Sequence, residues 1–402
     1  MKQLKKFFAG ILVLAILMTM GLTVLADDGE VVGGVEGNPA KALLTKELHK
    51  ALGVTTPTAS FTFTFTPKKV DNVAYNATVG EVGYMPSIGS ETISFGASDI
   101  IDTNAATTDV IELQKESSAD VLAGITWPHG GEYIYEIEET PNTYTLDPTK
   151  ERMTYSKQKF QMSVRVKNGT SNNTFVSEII FREMIYDDDT DTYTVDEKAN
   201  PIFVNEYEIM STLKVSKTTT GEYADLTKKF PYNLTLVKSP LDKTTTTSYT
   251  AKIYNINDPL TAIDTITVPL GASTFSLANG EYIIIEKLPT GTTYTLEEPA
   301  AQYYTAKAVV TINSETPVSA ENTTTNTALE IGSASGVWVD EVLNAPINIG
   351  ENNNIADFTN NREVINPTGI ILNNLPFILM VLLAIGGFIF FIIGKRRRKE
   401  EQ

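Results

Sequence analysis

Two sets of three residues have the types and spacing to do chemistry. Lys46, Glu139 and Asn205 lie in LTKEL, YIYEIEE and FVN, stretches in which apolar residues alternate with polar ones. Lys217, Glu298 and Asn360 lie in LKVSK, YTLEE and FTN, a second series of the same kind. The order is the same in both. Lys to Glu spans 93 and 81 residues, and Glu to Asn 66 and 62. Alternation of this kind predicts strands with one face buried, and the three polar residues fall on that face. Burying an isolated ammonium or carboxylate is costly. Desolvation lowers a lysine pKa and raises a glutamate pKa, which yields a neutral amine and a neutral acid. The first is a nucleophile and the second a proton donor. Beside an Asn carboxamide, such an amine can attack Cγ while the acid polarises the carbonyl and shuttles protons as ammonia leaves. The product is an intramolecular Lys–Asn isopeptide bond, made once, so the chain modifies itself without being an enzyme. Glu138, Glu297 and Asn361 are the adjacent choices, and alternation turns them to the opposite face.

The elements that must hold these residues are short strands. Phe61, Phe63 and Phe65 alternate with Thr62 and Thr64, and similar runs follow at 91–95, 131–139, 159–166, 174–186 and 201–205. Turns rich in Gly, Asn, Asp and Pro separate them. The pattern begins again at 211–221 and continues through 229–236, 248–256, 280–289, 293–298, 303–312 and 355–361. In each half a lysine strand is followed some 13–15 residues later by an aromatic strand, starting at Phe61 or Phe230. The expected fold is all-β, two tandem immunoglobulin-like sandwiches. The expected boundaries are 41–208 and 209–364. No Pro/Gly linker marks the join near 206–211, so the two should connect stiffly, almost strand to strand.

Both ends carry apolar stretches. Lys2, Lys5 and Lys6 precede an apolar run from Phe7 to about Leu25, and Val24 and Ala26 are small residues placed as in a signal-peptidase site. Residues 1–26 therefore read as a signal peptide and 27–40 as a flexible acidic lead. At the other end INPTG (365–369) precedes an apolar run from Leu375 to Gly394 and then KRRRK. Twenty apolar residues span a hydrocarbon core of about 30 Å, and the basic block keeps that end in the cytoplasm. Residues 370–402 are thus the membrane span and tail. The chain of 402 residues has no cysteine and a net charge of −17, which excludes disulfide staples and argues against nucleic acid as a partner.

The PTG pentapeptide, apolar span and basic tail resemble the cell-wall sorting signal of Gram-positive surface proteins. The resemblance implies that sortase attacks the Thr368 carbonyl, releases Gly369 onward and joins the chain to peptidoglycan. Pro367 stands third where the common pattern has it second, which leaves the sortase class open. The two triads, with TKEL, GEYIYEIEE, PIFVN, LKVSKTTTG, YTLEE and DFTN around them, resemble streptococcal-type backbone pilins with isopeptide-linkage domains. That resemblance implies a Lys46–Asn205 bond with Glu139 as acid and a Lys217–Asn360 bond with Glu298 as acid. It also implies neighbouring pilin subunits as partners. Lys198 precedes Asn205 by the spacing at which that family carries its intersubunit acceptor lysine. Lys68 and Lys69, in a TPKK turn, are rivals. No cofactor is implied.

Weaker features carry less. Asp187, Asp189 and Asp191 resemble half a calcium loop, but Thr192 and Lys198 stand where Gly and Glu are needed, so a solvated hairpin is expected and no metal. His49 and His129 are the only histidines and have no ligand-type neighbours. Trp127 reads as a turn and Trp338 as core. The leading reading is a shaft-forming pilus subunit in which force passes through the crosslinks. The alternative is a wall-anchored adhesin or minor pilin that binds a host ligand.

Overall fold

The structure is a computed structural model and describes residues 31–97, 111–170, 173–187, 189–333, 341–363 and 367–400. The expected signal peptide and Trp338 lie outside those residues. Among the described residues the fold is all-β apart from one short 3-10 turn and a C-terminal helix.

In the N-terminal sandwich the larger sheet runs Val32–Gly33, Thr174–Asp187, Lys159–Asn168, Gly131–Glu139, Ala59–Val70, Val73–Ala74. The facing sheet holds Thr45–Ala51 between Ile111–Ser117 and the strand Ile202–Thr220, which also pairs with Glu151–Thr154. Phe61, Phe63 and Phe65 point inward and are buried, as their alternation with threonine requires. They meet Phe160, Phe203 and Ile137 from the other strands in one apolar cluster.

The C-terminal sandwich repeats the plan. One sheet runs Asp264–Pro269, Ser248–Asn255, Glu281–Pro289, Ile202–Thr220, Asn354–Asn361, Thr305–Thr311, Val318–Glu321. The other runs Gly271–Leu277, Phe230–Val237, Thr293–Glu298, Leu329–Ile331. A separate apolar cluster fills the space between them.

Ile202–Thr220 belongs to both sandwiches. Its 19 residues reach about 60 Å at ~3.3 Å each. Phe203, Asn205 and Tyr207 are buried in the first core, and Leu213, Val215, Lys217 and Thr219 in the second. The inward parity is the same along the whole strand, so one uninterrupted ribbon presents both candidate sites.

Polar contacts brace the crossing. Arg152 donates from Nε to Glu208 Oε2 at 2.7 Å and from Nη2 to Asp242 Oδ1 at 2.8 Å. Burial pushes the Glu208 carboxyl above its usual range, against the pull of the Arg152 guanidinium. On the other side Thr55 donates from N and Oγ1 to the Glu351 carboxylate at 2.9 and 2.6 Å.

The helix Pro367–Glu400 contains an 18-residue window, Pro376–Ile393, of mean hydropathy 2.8, long and apolar enough to cross a membrane. Thr368 and Gly369 fall in its first turn.

Candidate functional site

Strand register builds the same arrangement twice. Thr45–Ala51 pairs in parallel with Ile202–Thr220 and sets Lys46 opposite Phe203. Asn205 lies two residues further along, on the same face and diagonal to Lys46. Glu139 reaches them from the facing sheet, as the last residue of Gly131–Glu139. In the second sandwich Asn354–Asn361 pairs in parallel with the other end of the long strand and sets Phe358 opposite Lys217. Asn360 is again two residues on, and Glu298 is the last residue of Thr293–Glu298 on the facing sheet. The long strand therefore supplies the asparagine of one triad and the lysine of the other.

All six residues are buried. Lys46 Nζ donates to Glu139 Oε2 at 2.8 Å and to the Phe203 carbonyl at 3.2 Å, and Asn205 Nδ2 donates to Glu139 Oε1 at 2.6 Å. In the second triad Lys217 Nζ donates to Glu298 Oε2 at 2.8 Å and Asn360 Nδ2 donates to Glu298 Oε1. Aromatic rings close both sites. Lys46 Nζ lies 4.8 Å from the Phe61 centroid, and Lys217 Nζ 4.1 Å from that of Phe230. Loss of water pushes both amines down, each to about 8, although the paired carboxylate pulls the other way.

In each triad the carboxylate bridges amine and carboxamide. One oxygen can take a proton from Nζ while the other gives one to Nδ2. An amine freed in this way could form a bond to Cγ, with the Cγ–Nδ2 bond breaking and the nitrogen leaving as ammonia. Sequence reasoning put the acid on the carboxamide oxygen. In the structure that oxygen, Asn205 Oδ1, accepts from the Ser156 backbone N–H at 2.7 Å, and the acid faces the nitrogen. A backbone donor held there can stabilise charge developing on the oxygen during attack. The second site lacks this donor, and Asn360 Oδ1 has no hydrogen-bond partner among the described residues. It has instead the Tyr232 hydroxyl, which donates to Glu298 Oε2 at 3.4 Å.

Before any bond forms, the folded chain holds fewer lysine protons than the unfolded chain between pH about 8 and the ordinary lysine value. Stability of the unbonded form therefore rises with pH across that window. The neutral amine is also the nucleophile. For unbonded chain refolded at different pH values, the rate of ammonia loss, followed by mass, is expected to rise about tenfold per unit below pH ~8 and to level off above it. A rate independent of pH from 6 to 9 would exclude the amine as the titrating nucleophile.

The remaining sequence candidates fall elsewhere. Lys198 is exposed and is the last residue of the strand Thr192–Lys198, opposite Arg182, rather than in a loop. Lys68 and Lys69 are not in a turn either. They lie just before Val70, the last residue of the strand Ala59–Val70, where pairing steps past a bulge, and Lys68 binds Glu136 at 2.8 Å. Glu138 and Glu297 are less buried than their neighbours, with Glu297 accepting from Asn233. His49 contacts Glu47 at 3.4 Å, and His129 packs against Tyr133. Trp127 lies, as expected, where the chain bends into Gly131–Glu139, and its ring is buried against Tyr133. Among the described residues no group of three or more His, Cys, Asp or Glu could hold a metal. Sequence reasoning did not find Ser156, Tyr232 or the Arg152–Glu208–Asp242 cluster. The aromatic strands at a fixed offset from each lysine were visible, but not that Phe61 and Phe230 cover the amines.

Residues 43–208 match the Spy0128-like isopeptide containing domain, a span that includes Lys46, Glu139, Lys198 and Asn205. That span takes in most of the N-terminal sandwich. Residues 211–330 match a domain of unknown function, DUF7601, which takes in Lys217 and Glu298. No curated protein matches the chain. Among solved structures it is similar to the major pilin from Streptococcus pyogenes, at 18% identity and a TM-score of 0.34, over 81% of this chain and 100% of that one. A second S. pyogenes major pilin, T3.2, matches at 20% and 0.32, over 80% and 98%. A pilus-presented adhesin matches at 16% and 0.27, over 52% of this chain and 37% of its own. Superpositions this loose do not bear on function.

Proposed function

We propose that the chain is a structural subunit of a Gram-positive pilus, stabilised by two self-made Lys–Asn isopeptide bonds and joined covalently to its neighbours by sortase. The observation that carries this reading is the pair of buried Lys–Glu–Asn triads. A lone Lys–Glu pair in a core is a poor stabiliser, because desolvation offsets most of the attraction. Two such pairs, each with an asparagine diagonal to the lysine, have a use if the charges are consumed in a bond. The domain family supports the first bond by its description, and the repeated register extends the reading to the second. The protein is then a substrate of sortase and not itself an enzyme.

Polymerisation requires an acceptor amine and a donor carbonyl at opposite ends. Lys198 lies just before the start of the long strand. Arg362, whose N–H donates to the Thr220 carbonyl at 2.9 Å, lies beside its end, a few residues before Thr368. Subunits joined from Thr368 to Lys198 therefore line up head to tail. Shaft and adhesin readings separate on this point. Cell-wall extracts are expected to show a detergent-resistant ladder that Lys198→Ala abolishes while one wall-linked band remains. A ladder unchanged by Lys198→Ala would move the acceptor elsewhere, and a single band in the parent would favour the adhesin.

A further inference from the structure

Six large apolar side chains are exposed at the end of the C-terminal sandwich from which the chain leaves toward its apolar helix. Tyr223 and Leu226 follow the long strand, Ile256, Leu260 and Ile263 lie in one loop, and Tyr303 precedes Thr305–Thr311. Strand register brings these segments to one tip. Thr220 and Thr305 both lie beside Asn361, and Asn255 lies opposite Glu281. Ile256 N–H donates to the Gly280 carbonyl at 2.8 Å, and Gly280 N–H to that of Lys217 at 2.9 Å, which ties the loop to the end of the long strand. Leu260 is 92% exposed. Apolar residues gathered on one small tip mark an interaction surface. Neither triad uses it.

The length of chain beyond the tip fixes what that surface can reach. The Arg362 guanidinium stacks on Tyr303 and Tyr304, 5.3 and 5.8 Å from the ring centroids, so the chain departs from the tip itself. The apolar window Pro376–Ile393 begins only 14 residues later, and the helix that contains it already starts at Pro367. The helical part of that interval rises about 14 Å, and the rest extends at most about 18 Å. The tip therefore stays within about 30 Å of the hydrocarbon, and headgroups fill the nearest ~5–7 Å of that gap. So short a tether keeps the tip at the bilayer at high effective concentration, and a small contact is enough to hold it there. The side chains suit that place, because tyrosines favour headgroup level and leucine and isoleucine the boundary beneath it. Lys228 lies 5.1 Å from the Tyr304 centroid, on the same tip as Arg362, where both can meet lipid phosphates. Glu222, Asp225 and Asp258 stand on the same loops, so the charge is balanced and apolar insertion carries the contact.

We propose that this tip docks on the outer leaflet of the bilayer while the chain is still anchored by its apolar helix. Ile256, Leu260 and Ile263 enter the boundary between headgroups and acyl chains, and Tyr223 and Tyr303 lie at headgroup level. The docking rests on the reading of Pro376–Ile393 as a membrane span. It holds Thr368, a few residues beyond Arg362, at the membrane surface. Cleavage after Thr368 cuts the tether, and so few apolar side chains do not hold a chain to a bilayer without one. The step that releases the subunit from its helix therefore also frees the tip.

The chain has no cysteine, so one introduced thiol reports one position. Full-length Leu260→Cys, labelled with a fluorescent dye, is reconstituted into phosphatidylcholine vesicles that contain lipid spin-labelled at the headgroup. Quenching is expected about fivefold above that of the same dye on Val237→Cys, which is also exposed but lies at the other end of Phe230–Val237, opposite Thr293. Adding Tyr223→Glu, Ile256→Glu and Ile263→Glu should bring the Leu260→Cys signal down to that of Val237→Cys. Equal quenching at the two positions in the parent would overturn the docking. So would quenching at residue 260 that survives the three glutamates, which would make it a result of the tether alone. Quenching lost when the chains are diluted to one per vesicle would make a second copy the occupant and also overturn it. Flotation of the vesicles reads the span separately. Chain that floats without quenching at the tip sinks the docking alone, whereas chain that does not float overturns the span and the docking together. A polymer ladder lost while quenching persists sinks polymerisation alone.

Discussion

Glu139→Ala is expected to return about 17 Da to the mass of a chain that otherwise lacks about 34 Da, and Glu298→Ala to return the other ~17 Da, since each bond expels one ammonia. The assignment is specific because each glutamate contacts the amine and the carboxamide of its own triad and nothing in the other. Stability falls with the bond. Lys46 and Asn205 are joined through Glu139, which lies 93 residues after one and 66 before the other, so the crosslink closes a loop well over 100 residues long. Treated as a disulfide of that loop length, it restrains the unfolded chain by about 4–5 kcal/mol. For a domain of this size that is a drop of about 10–20 °C in Tm. The alanine variant also leaves Lys46 buried without its carboxylate, a further cost of about 3–5 kcal/mol for an uncompensated charge. Asn205→Ala loses the bond but keeps the Lys46–Glu139 pair, so it should lie between the parent and Glu139→Ala. Intact mass and thermal unfolding check the series. A full deficit in Glu139→Ala would remove the glutamate from the chemistry.

Lys217→Ala and Lys46→Ala are expected to differ sharply under tension. Force applied between Lys198 and the C-terminal end of the sandwich enters just before the long strand. With the proposed second bond in place, it runs along that strand to Lys217, crosses to Asn360 and leaves beside Arg362. Nothing on that route folds out, because the strand is already extended. Glu298 lies 81 residues after Lys217 and 62 before Asn360, so loss of the second bond releases that whole loop. At roughly 3.5 Å per residue the gain in length is about 500 Å per subunit. Lys46 and the strands that precede Lys198 lie off the route. Lys46→Ala should therefore soften the first sandwich to heat and leave the fibre inextensible. The expectation from sequence, that force passes through each crosslink in turn, holds only for a chain pulled from its N-terminal end. Single-molecule extension of subunits held at residue 198 checks this. A long unfolding step in Lys46→Ala would show that the load enters elsewhere.

The alternation of FTFTF, of YIYEIEE and of KVSK announces strands and tells which residues face inward, because a strand has period two whatever surrounds it. The repeat of lysine, glutamate and asparagine in one order pointed to two equivalent sites, and parity excluded Glu138, Glu297 and Asn361 from the inward face. The apolar run near the end is equally plain, since length and composition alone make a helix that can cross a membrane. These are local properties, determined by the sequence by itself.

Which strands lie side by side was not local. Lys46 meets Asn205 only because Thr45–Ala51 pairs in parallel with Ile202–Thr220, and parallel pairing joins segments far apart in the chain. The glutamates arrive from the facing sheets, a matter of layer packing. Ser156 offers a backbone N–H, which no side-chain pattern records. Arg152, Glu208 and Asp242 look like ordinary surface charges until the crossing between sandwiches buries the two acids together. The apolar tip was hidden for the same reason: Tyr223, Leu260 and Tyr303 are scattered single residues along the chain, and only strand register gathers them at one end. The sequence by itself determined the strands, their inward faces and the reactive residue types. The tertiary structure decided which of those residues touch, which protons can be passed between them and what each end of the molecule presents, because these depend on contacts between segments that no local periodicity encodes.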